Sequence, residues 1–303
     1  MDTGVVIGVD IGGTNIRVGA VDCNANIYQE KIFSSRNLQG DNAVNDLLDY
    51  LKTYIKSLRF TVRALSFGFP STIDKDRMTV VNTPNLKGFN NVKIKPIYED
   101  TLGLPVYINK DATALLYCDM YKQNIDQTGT VVGIYFGTGI GNSIIINGKE
   151  FTGNDGVACE LGHIPVPGRD DPCSCGLNGC IELYAGGKML ERICEETFPN
   201  TPVELLFVEH SNTPRVQEYI TNMANAVAIE INILNPGHVI LGGGVIQMKS
   251  FPKALLKNII LEKTRRPIPR DRINILFSDG DDPYNGVVGA ALYGFFVNKE
   301  AYL

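Results

Sequence analysis

The strongest constraint on this chain's fold is a pattern that occurs twice. Residues 5–10 form a β-branched apolar run, broken by Gly12–Gly13–Thr14 and followed by an alternating run at 16–21. The turn Asp22–Cys23–Asn24 then leads to a third strand-like stretch at 27–33. The order returns at 130–151: an apolar strand, the turn Gly137–Thr138–Gly139–Ile140–Gly141, a strand ending in SIIIN, the turn Asn147–Gly148–Lys149 and a short third strand. Two meanders with Gly/Thr hairpins, one in each half, predict an internal duplication.

Strands and helices alternate after each meander. The first half reads as a helix at 42–58, a strand at 62–69, an irregular loop at 82–86, a helix at 92–102, a strand at 106–109 and a helix at 112–121. The second half offers helices at 183–196 and 214–234, a strand at 239–241, a helix at 252–263, a strand at 273–277 and a last helix from Gly286. Such alternation predicts an α/β protein with mainly parallel sheets and helical faces. The polar stretch at 124–130 marks the boundary, giving lobes 1–122 and 123–303, with the last helix, about 287–303, able to pack back on the first.

The length of 303 residues suffices for two ordinary cores. Lys plus Arg number 28 against 33 Asp plus Glu, a net charge of −5 without a basic cluster beyond Arg265–Arg266, which argues against nucleic acid as a partner. With no leader-like start and no apolar run long enough to span a bilayer, a cytoplasmic protein without a membrane partner is expected. Cys23, Cys118, Cys159 and Cys194 are scattered, as reduced thiols would be.

The other three cysteines are not scattered. His163, Cys173, Cys175 and Cys180 are spaced H-x9-C-x-C-x4-C within the stretch 156–182, one imidazole and three thiolates from a single loop. That set matches a four-coordinate structural Zn2+, which has no open position for water and would pin the loop. Two carboxylates, Glu160 and Glu182, flank the ligands without being needed for the metal.

Three glycine-rich turns follow apolar strands: Gly12–Gly13–Thr14, Gly137–Thr138–Gly139 and Gly242–Gly243–Gly244. Each alone could be a tight turn in which only glycine fits. As a set, two of them duplicated, they point to a nucleotide whose phosphates approach bare backbone N–H groups. A P-loop is absent, and the strand after Gly141 excludes a Rossmann turn, so the phosphates would lie at β-hairpins. Asp10, just before the first turn, could hold hydrated Mg2+. Asp111 lies where a strand gives way to a helix; it reads either as an N-cap or as a base accepting a proton from a substrate hydroxyl.

These residues resemble the ROK sugar kinases of the actin-like ATPase superfamily. The matching pieces run in family order over nearly the whole chain: DIGGTNIR at 10–17, TPNL at 83–86, Asp111 before its helix, FGTGIG at 136–141, ELGH at 160–163, the cysteine cluster through CIE at Glu182, and LGGGV at 241–245. The resemblance implies a two-lobed actin-like (ribonuclease H-like) fold of duplicated βββαβαβα units, with ATP in the cleft between lobes. It puts Asp10 on the Mg2+ side, the two hairpins around the phosphates and Gly242–Gly244 near the adenosine. It makes Asp111 the general base for a sugar hydroxyl, while Asn85, Glu160, His163 and Glu182 grip the others; His163 would bind zinc through one ring nitrogen and the sugar through the other.

Glucokinases and N-acetylmannosamine kinases of the family usually carry Asn-Asp where this chain has Lys110–Asp111. The branch it resembles most is the D-allose kinases, which have a basic residue there, and FGFPSTIDKDRMTVVNTPNL at 67–86 and INILNPGHVILGGGVIQMKSFPKALL at 231–256 add to the likeness. That implies transfer of the ATP γ-phosphoryl group to the 6-hydroxyl of D-allose, with Lys110 beside the sugar, in solvent or paired with a nearby carboxylate. Glucokinase and N-acetylmannosamine kinase are the neighbouring readings, and a non-catalytic sugar-responsive regulator the different one. The resemblance also implies a homodimer.

Overall fold

The computed structural model describes residues 4–38, 40–83, 86–280 and 282–299. Its contacts divide the chain into two compact units. One comprises the residues up to Ile125, the strap Thr152–Ala158 and the chain from Asp282 on; the other comprises Asp126–Phe151 and Cys159–Asp281.

In the first unit the strands are β1 (Val5–Ile11), β2 (Asn15–Val21) and β3 (Ile27–Ser34); helix α1 (Ala43–Ser57), β4 (Val62–Phe69), the small hairpin β5 (Thr72–Ile73) and β6 (Val80–Asn82), α2 (Ile94–Leu102), β7 (Val106–Lys110) and α3 (Asp111–Lys122) follow. The second unit contains β8 (Thr130–Phe136), β9 (Ile140–Ile146), β10 (Lys149–Glu150), α4 (Glu182–Ala185), α5 (Gly187–Thr197), α6 (Leu206–Glu209), α7 (Pro214–Leu234), β11 (His238–Gly242), α8 (Lys253–Lys263) and β12 (Asn274–Phe277). Helix α9 (Asn285–Lys299) returns to the first.

The duplication is visible in the sheet orders, β3-β2-β1-β4-β7 and β10-β9-β8-β11-β12. In each, a central strand pairs antiparallel with its hairpin partner and parallel with the next. This is the actin-like α/β fold, with mixed sheets. The parallel strands are buried on both faces, which is why 5–9 and 131–136 read as continuous apolar runs and why 64–69 is apolar but for the small, buried Ser66. Helix α1 buries the stripe Val44, Leu47, Leu48, Leu51 and Tyr54 at helical spacing. Helix α7 begins with Pro214 at its first turn and ends at Asn235 in the left-handed region, φ 45°.

Two predicted elements differ. The single helix expected at 183–196 is broken at Gly186, whose extended backbone, ψ 169°, separates α4 from α5. A methyl group there would lie 2.7 Å from the Glu182 carbonyl and 3.0 Å from that of Thr138, so the break lets the second helix start against the 137–139 turn. The predicted loop at 82–86 is preceded by β5 and β6, too short and too mixed in composition to announce themselves.

Helix α9 packs on β1, β4 and α3 by backbone approach: a methyl group on Gly8 would collide with the Val287 carbonyl, and one on Gly289 with that of Ala114. Gly289→Ala is therefore expected to destabilise the first unit by about 1–3 kcal/mol, the usual cost of overpacking. Urea unfolding would read it as a lower midpoint with an unchanged m-value, and an unaltered midpoint would contradict this packing.

Candidate active site

In the first unit the chemistry gathers at the carboxyl ends of β1, β4 and β7. Asp10, Gly68 and Asn109 stand in one row across these parallel strands. Asp10 is followed by the Gly12–Thr14 turn and Asn109 by Lys110 and Asp111. Burial, then the neighbouring charge of Asp111, raise the Asp10 carboxyl to about 6, against the opposing pull of the Arg17 guanidinium 3.4 Å away. Gly286 makes room for it: a methyl group there would sit 2.6 Å from the Asp10 carboxyl carbon.

Asp111 is not the cap of α3 but its first residue. Lys110 takes the cap position without a side-chain cap bond, and Asp111 Oδ1 accepts the Ala112 N–H at 2.7 Å. An acidic group in the first turn is favoured by the helix dipole, so the position is both stable and rigid. Lys110 Nζ donates to the carbonyl of Ala158 in the strap at 3.2 Å, rather than standing in open solvent. Asn85 lies outside the described residues.

The two hairpin turns are built alike by different means. Gly12 N–H bonds the Asn15 carbonyl at 2.9 Å, while Ser35, fully buried, donates its hydroxyl to Gly13 O and its N–H to Thr14 O. In the second unit Gly137 N–H bonds Gly139 O at 3.0 Å, and the N–H groups of Gly187 and Lys188 at the start of α5 satisfy the carbonyls of Gly137 and Thr138. Carbonyls are thus tied back in both turns. Among the described residues the N–H groups of Gly13, Thr14, Thr138 and Gly139 have no protein partner, and the Thr14 and Thr138 side chains are exposed at the tips. Bare N–H groups on a glycine turn form a concavity for an anion.

Gly242–Gly244 ends β11 beside the second turn. Gly243 has φ +93° and its missing side chain lets it lie against the backbone of Phe136; Val245 N–H bonds the Phe136 carbonyl at 3.0 Å, and Gly244 faces open space. A ligand could approach the backbone there without obstruction.

The cysteine loop folds so that His163, Cys173, Cys175 and Cys180 converge. Backbone bonds from Val166 to Gly179 and from Ile181 to Ile164 draw its two limbs together, and Gly176, φ +92°, turns the chain so that its N–H meets the Cys173 carbonyl. The ligand atoms of His163, Cys173, Cys175 and Cys180 lie within 4.8 Å of one another. Cys175 and Cys180 sulfurs are 3.6 Å apart, and Cys173 sulfur is 3.7 Å from His163 Nδ1. A tetrahedron with sulfur at about 2.3 Å and nitrogen at about 2.05 Å has edges of about 3.5–3.8 Å, so the set fits zinc; a disulfide would need about 2.05 Å. Burial pushes the Cys180 thiol up to about 12, whereas the Leu177 N–H holds that of Cys175 low. His163 presents Nδ1 to the sulfurs, leaving Nε2 on the side of Glu160, 3.9 Å from Oε2.

Glu182 does something the sequence did not announce: its Oε2 accepts the Ile140 N–H of the second turn at 3.0 Å. Arg17, Ser35 and the Lys110–strap bond were likewise missed; Ser35 and Lys110 act through partners 22 and 48 residues away along the chain. Only the Arg17–Asp10 register of the first hairpin was in principle readable, since the two face each other across β1 and β2.

The sequence matches the ROK family over residues 6–293. The glucokinase of Thermotoga maritima is 26% identical over 262 residues, covering 79% of this chain and 82% of that protein. The N-acetyl-D-glucosamine kinase of Pectobacterium carotovorum is 26% identical over 260 residues, 78% of this chain and 83% of that one. A crystal structure of the ROK glucokinase of Streptomyces griseus with glucose and AMPPNP superposes with a TM-score of 0.78 at 26% identity, covering 95% of this chain and 98% of that one.

Proposed function

Because the chain belongs to the ROK family, we propose that it is an ATP-dependent sugar kinase acting on the 6-hydroxyl of a hexose, and that the hexose is D-allose. The observation that carries the kinase reading is the pair Asp10 and Asp111, close enough for the charge of one to shift the other, beside a turn whose Gly13 and Thr14 N–H groups have no protein partner among the described residues.

Asp111, held by the first turn of α3, takes the proton of the attacking hydroxyl; the bond forms from that oxygen to the γ-phosphorus of ATP as the bond to the bridging oxygen breaks, and ADP leaves. The free N–H groups of Gly13, Thr14, Thr138 and Gly139 hold phosphate oxygens, and the open backbone at Gly244 serves the adenosine. Glu160, His163 through Nε2, Glu182 and Asn85 hold the remaining sugar hydroxyls. Asp10 fits hydrated Mg2+: it is a carboxylate whose proton is loosely matched to neutral pH, with a second carboxylate nearby. When bound, Mg2+ neutralises phosphate charge. His163, Cys173, Cys175 and Cys180 would hold zinc, which would then fix the tautomer of His163. No helix among the described residues is long and apolar enough to cross a membrane.

Support for allose over glucose comes from Lys110, which stands where an Asn would read the middle hydroxyls and is drawn instead to the Ala158 carbonyl. Phosphorylation rates on D-allose, D-glucose, N-acetyl-D-mannosamine and N-acetyl-D-glucosamine test this. The highest kcat/KM is expected for allose; a higher value for another sugar removes the allose assignment and leaves the kinase, whereas no transfer to any hexose removes both.

The raised carboxyl of Asp10 predicts a pH effect. Protonation competes with Mg2+, so the apparent Mg2+ affinity should fall as pH drops through about 6, up to tenfold per unit below it. In the metal-free protein the sign for stability is opposite: the folded state holds the proton more tightly, so stability declines as pH rises from about 4 to about 6. Mg2+ titrations of the rate at pH 5.5 and 7.5 check the first part, and equal affinities at both would refute it.

A further inference from the structure

Glu182 connects two parts of the second unit that the proposed kinase chemistry uses separately. Its backbone follows the cysteine loop by two residues, and its Oε2 accepts the N–H of Ile140 in the phosphate turn at 3.0 Å. Oε1 has no protein partner among the described residues. The surroundings are shaped for this approach. A methyl group on Gly139 would collide with Oε2, one on Gly162 would lie 3.3 Å from the Glu182 side chain and 3.3 Å from the Ile140 carbonyl, and one on Gly187 would lie 2.6 Å from the Gly137 carbonyl. Five and six residues on, past the break, the Gly187 and Lys188 N–H groups meet the carbonyls of Gly137 and Thr138 at 2.8 and 3.2 Å. The turn is therefore held at its start by α5 and at its end by the Glu182 carboxylate.

We infer that Glu182 is a positioning residue that couples sugar to nucleotide: one oxygen fixes the Ile140 N–H so that the free donors of Thr138 and Gly139 face the phosphates, while the other meets the sugar. The sugar half rests on the kinase reading; the turn-holding half does not. With Oε1 free to move, the carboxylate can rotate and the turn loosens. A sugar hydroxyl donating to Oε1 holds both oxygens, so sugar tightens nucleotide and, by linkage, nucleotide tightens sugar by the same factor. Nothing in the glycine pattern alone shows this, since the collision at Gly139 involves a side chain 43 residues further on.

The test uses the full chain and the variants Glu182→Ala, Glu182→Gln and Gly139→Ala, with zinc content measured for each. Hydrogen exchange of the Ile140 amide is followed without ligands, and AMPPNP binding is measured with and without the best hexose substrate. Glu182→Ala and Gly139→Ala should each raise Ile140 exchange about tenfold or more and weaken AMPPNP several-fold. Glu182→Gln, whose amide oxygen still accepts the N–H, should keep the exchange protection. In the wild type the hexose should tighten AMPPNP by about fivefold or more, a usual size for such coupling, and in Glu182→Ala the factor should approach one. Unchanged Ile140 exchange in Glu182→Ala, an equal loss of protection in the Gln and Ala variants, or an unchanged coupling factor would overturn the inference. Because the exchange is read without substrates, a failure of the wild type to phosphorylate any hexose would remove the functional reading and leave the turn-holding result standing.

Discussion

Asp111→Asn is expected to lower kcat by about 10²–10⁴-fold with little change in the KM of either substrate. Asparagine keeps the size, the place in the first turn of α3 and an oxygen for the Ala112 N–H, so the fold and the hydrogen bond at 2.7 Å are spared. What it loses is the capacity to accept a proton from the attacking hydroxyl. It also removes a charge that raises the Asp10 carboxyl, so any acid limb of the remaining activity should move to lower pH. Steady-state kinetics over pH 5–9 measure both effects. Full activity in this variant would contradict the assignment of the base.

The second large effect concerns the cysteine loop. The purified protein should contain zinc at about one per chain, and Cys180→Ser should lose it. Cys180 is fully buried, so serine leaves an unsatisfied hydroxyl as well as an incomplete tetrahedron. The sugar KM should rise about 10–100-fold, as when the support of a contact residue is removed. The KM for ATP should rise too, because Glu182, at the end of the loop, holds the Ile140 N–H beside the 137–139 turn. Cys23→Ser, at an exposed position outside the loop, should change neither. Metal analysis with kinetics decides the matter; active protein without zinc would end the metal reading.

Much of the candidate site was legible because its parts are local. Asp10 directly before a glycine turn, Asp111 at a strand-to-helix junction and H-x9-C-x-C-x4-C are each short patterns with a mechanism, and each lies where its neighbours in sequence put it. Lys110 was harder. A long side chain beside Asp111 could serve sugar, solvent or a carboxylate, and the carbonyl of Ala158, 48 residues away, is a backbone group that no sequence pattern marks. The break at Gly186 was hidden for a similar reason: the residues around it have helical periodicity, and only the turn at 137–139 explains the extended backbone there.

The sequence by itself determined the duplicated meander, the alternation of strands and helices, the spacing of the histidine and three cysteines in the cysteine loop and the glycines that keep backbone bare. These are properties of residue types at fixed spacing, and spacing survives in any chain that folds. Only the tertiary structure decided which carbonyls of the two turns are tied back, by Ser35 in one unit and by α5 in the other, and which N–H groups therefore remain free. It also decided that Glu182 holds the Ile140 amide. The physical reason is that hydrogen bonds are satisfied by whatever the fold brings within about 3 Å, and the distance between partners along the chain places no limit on that.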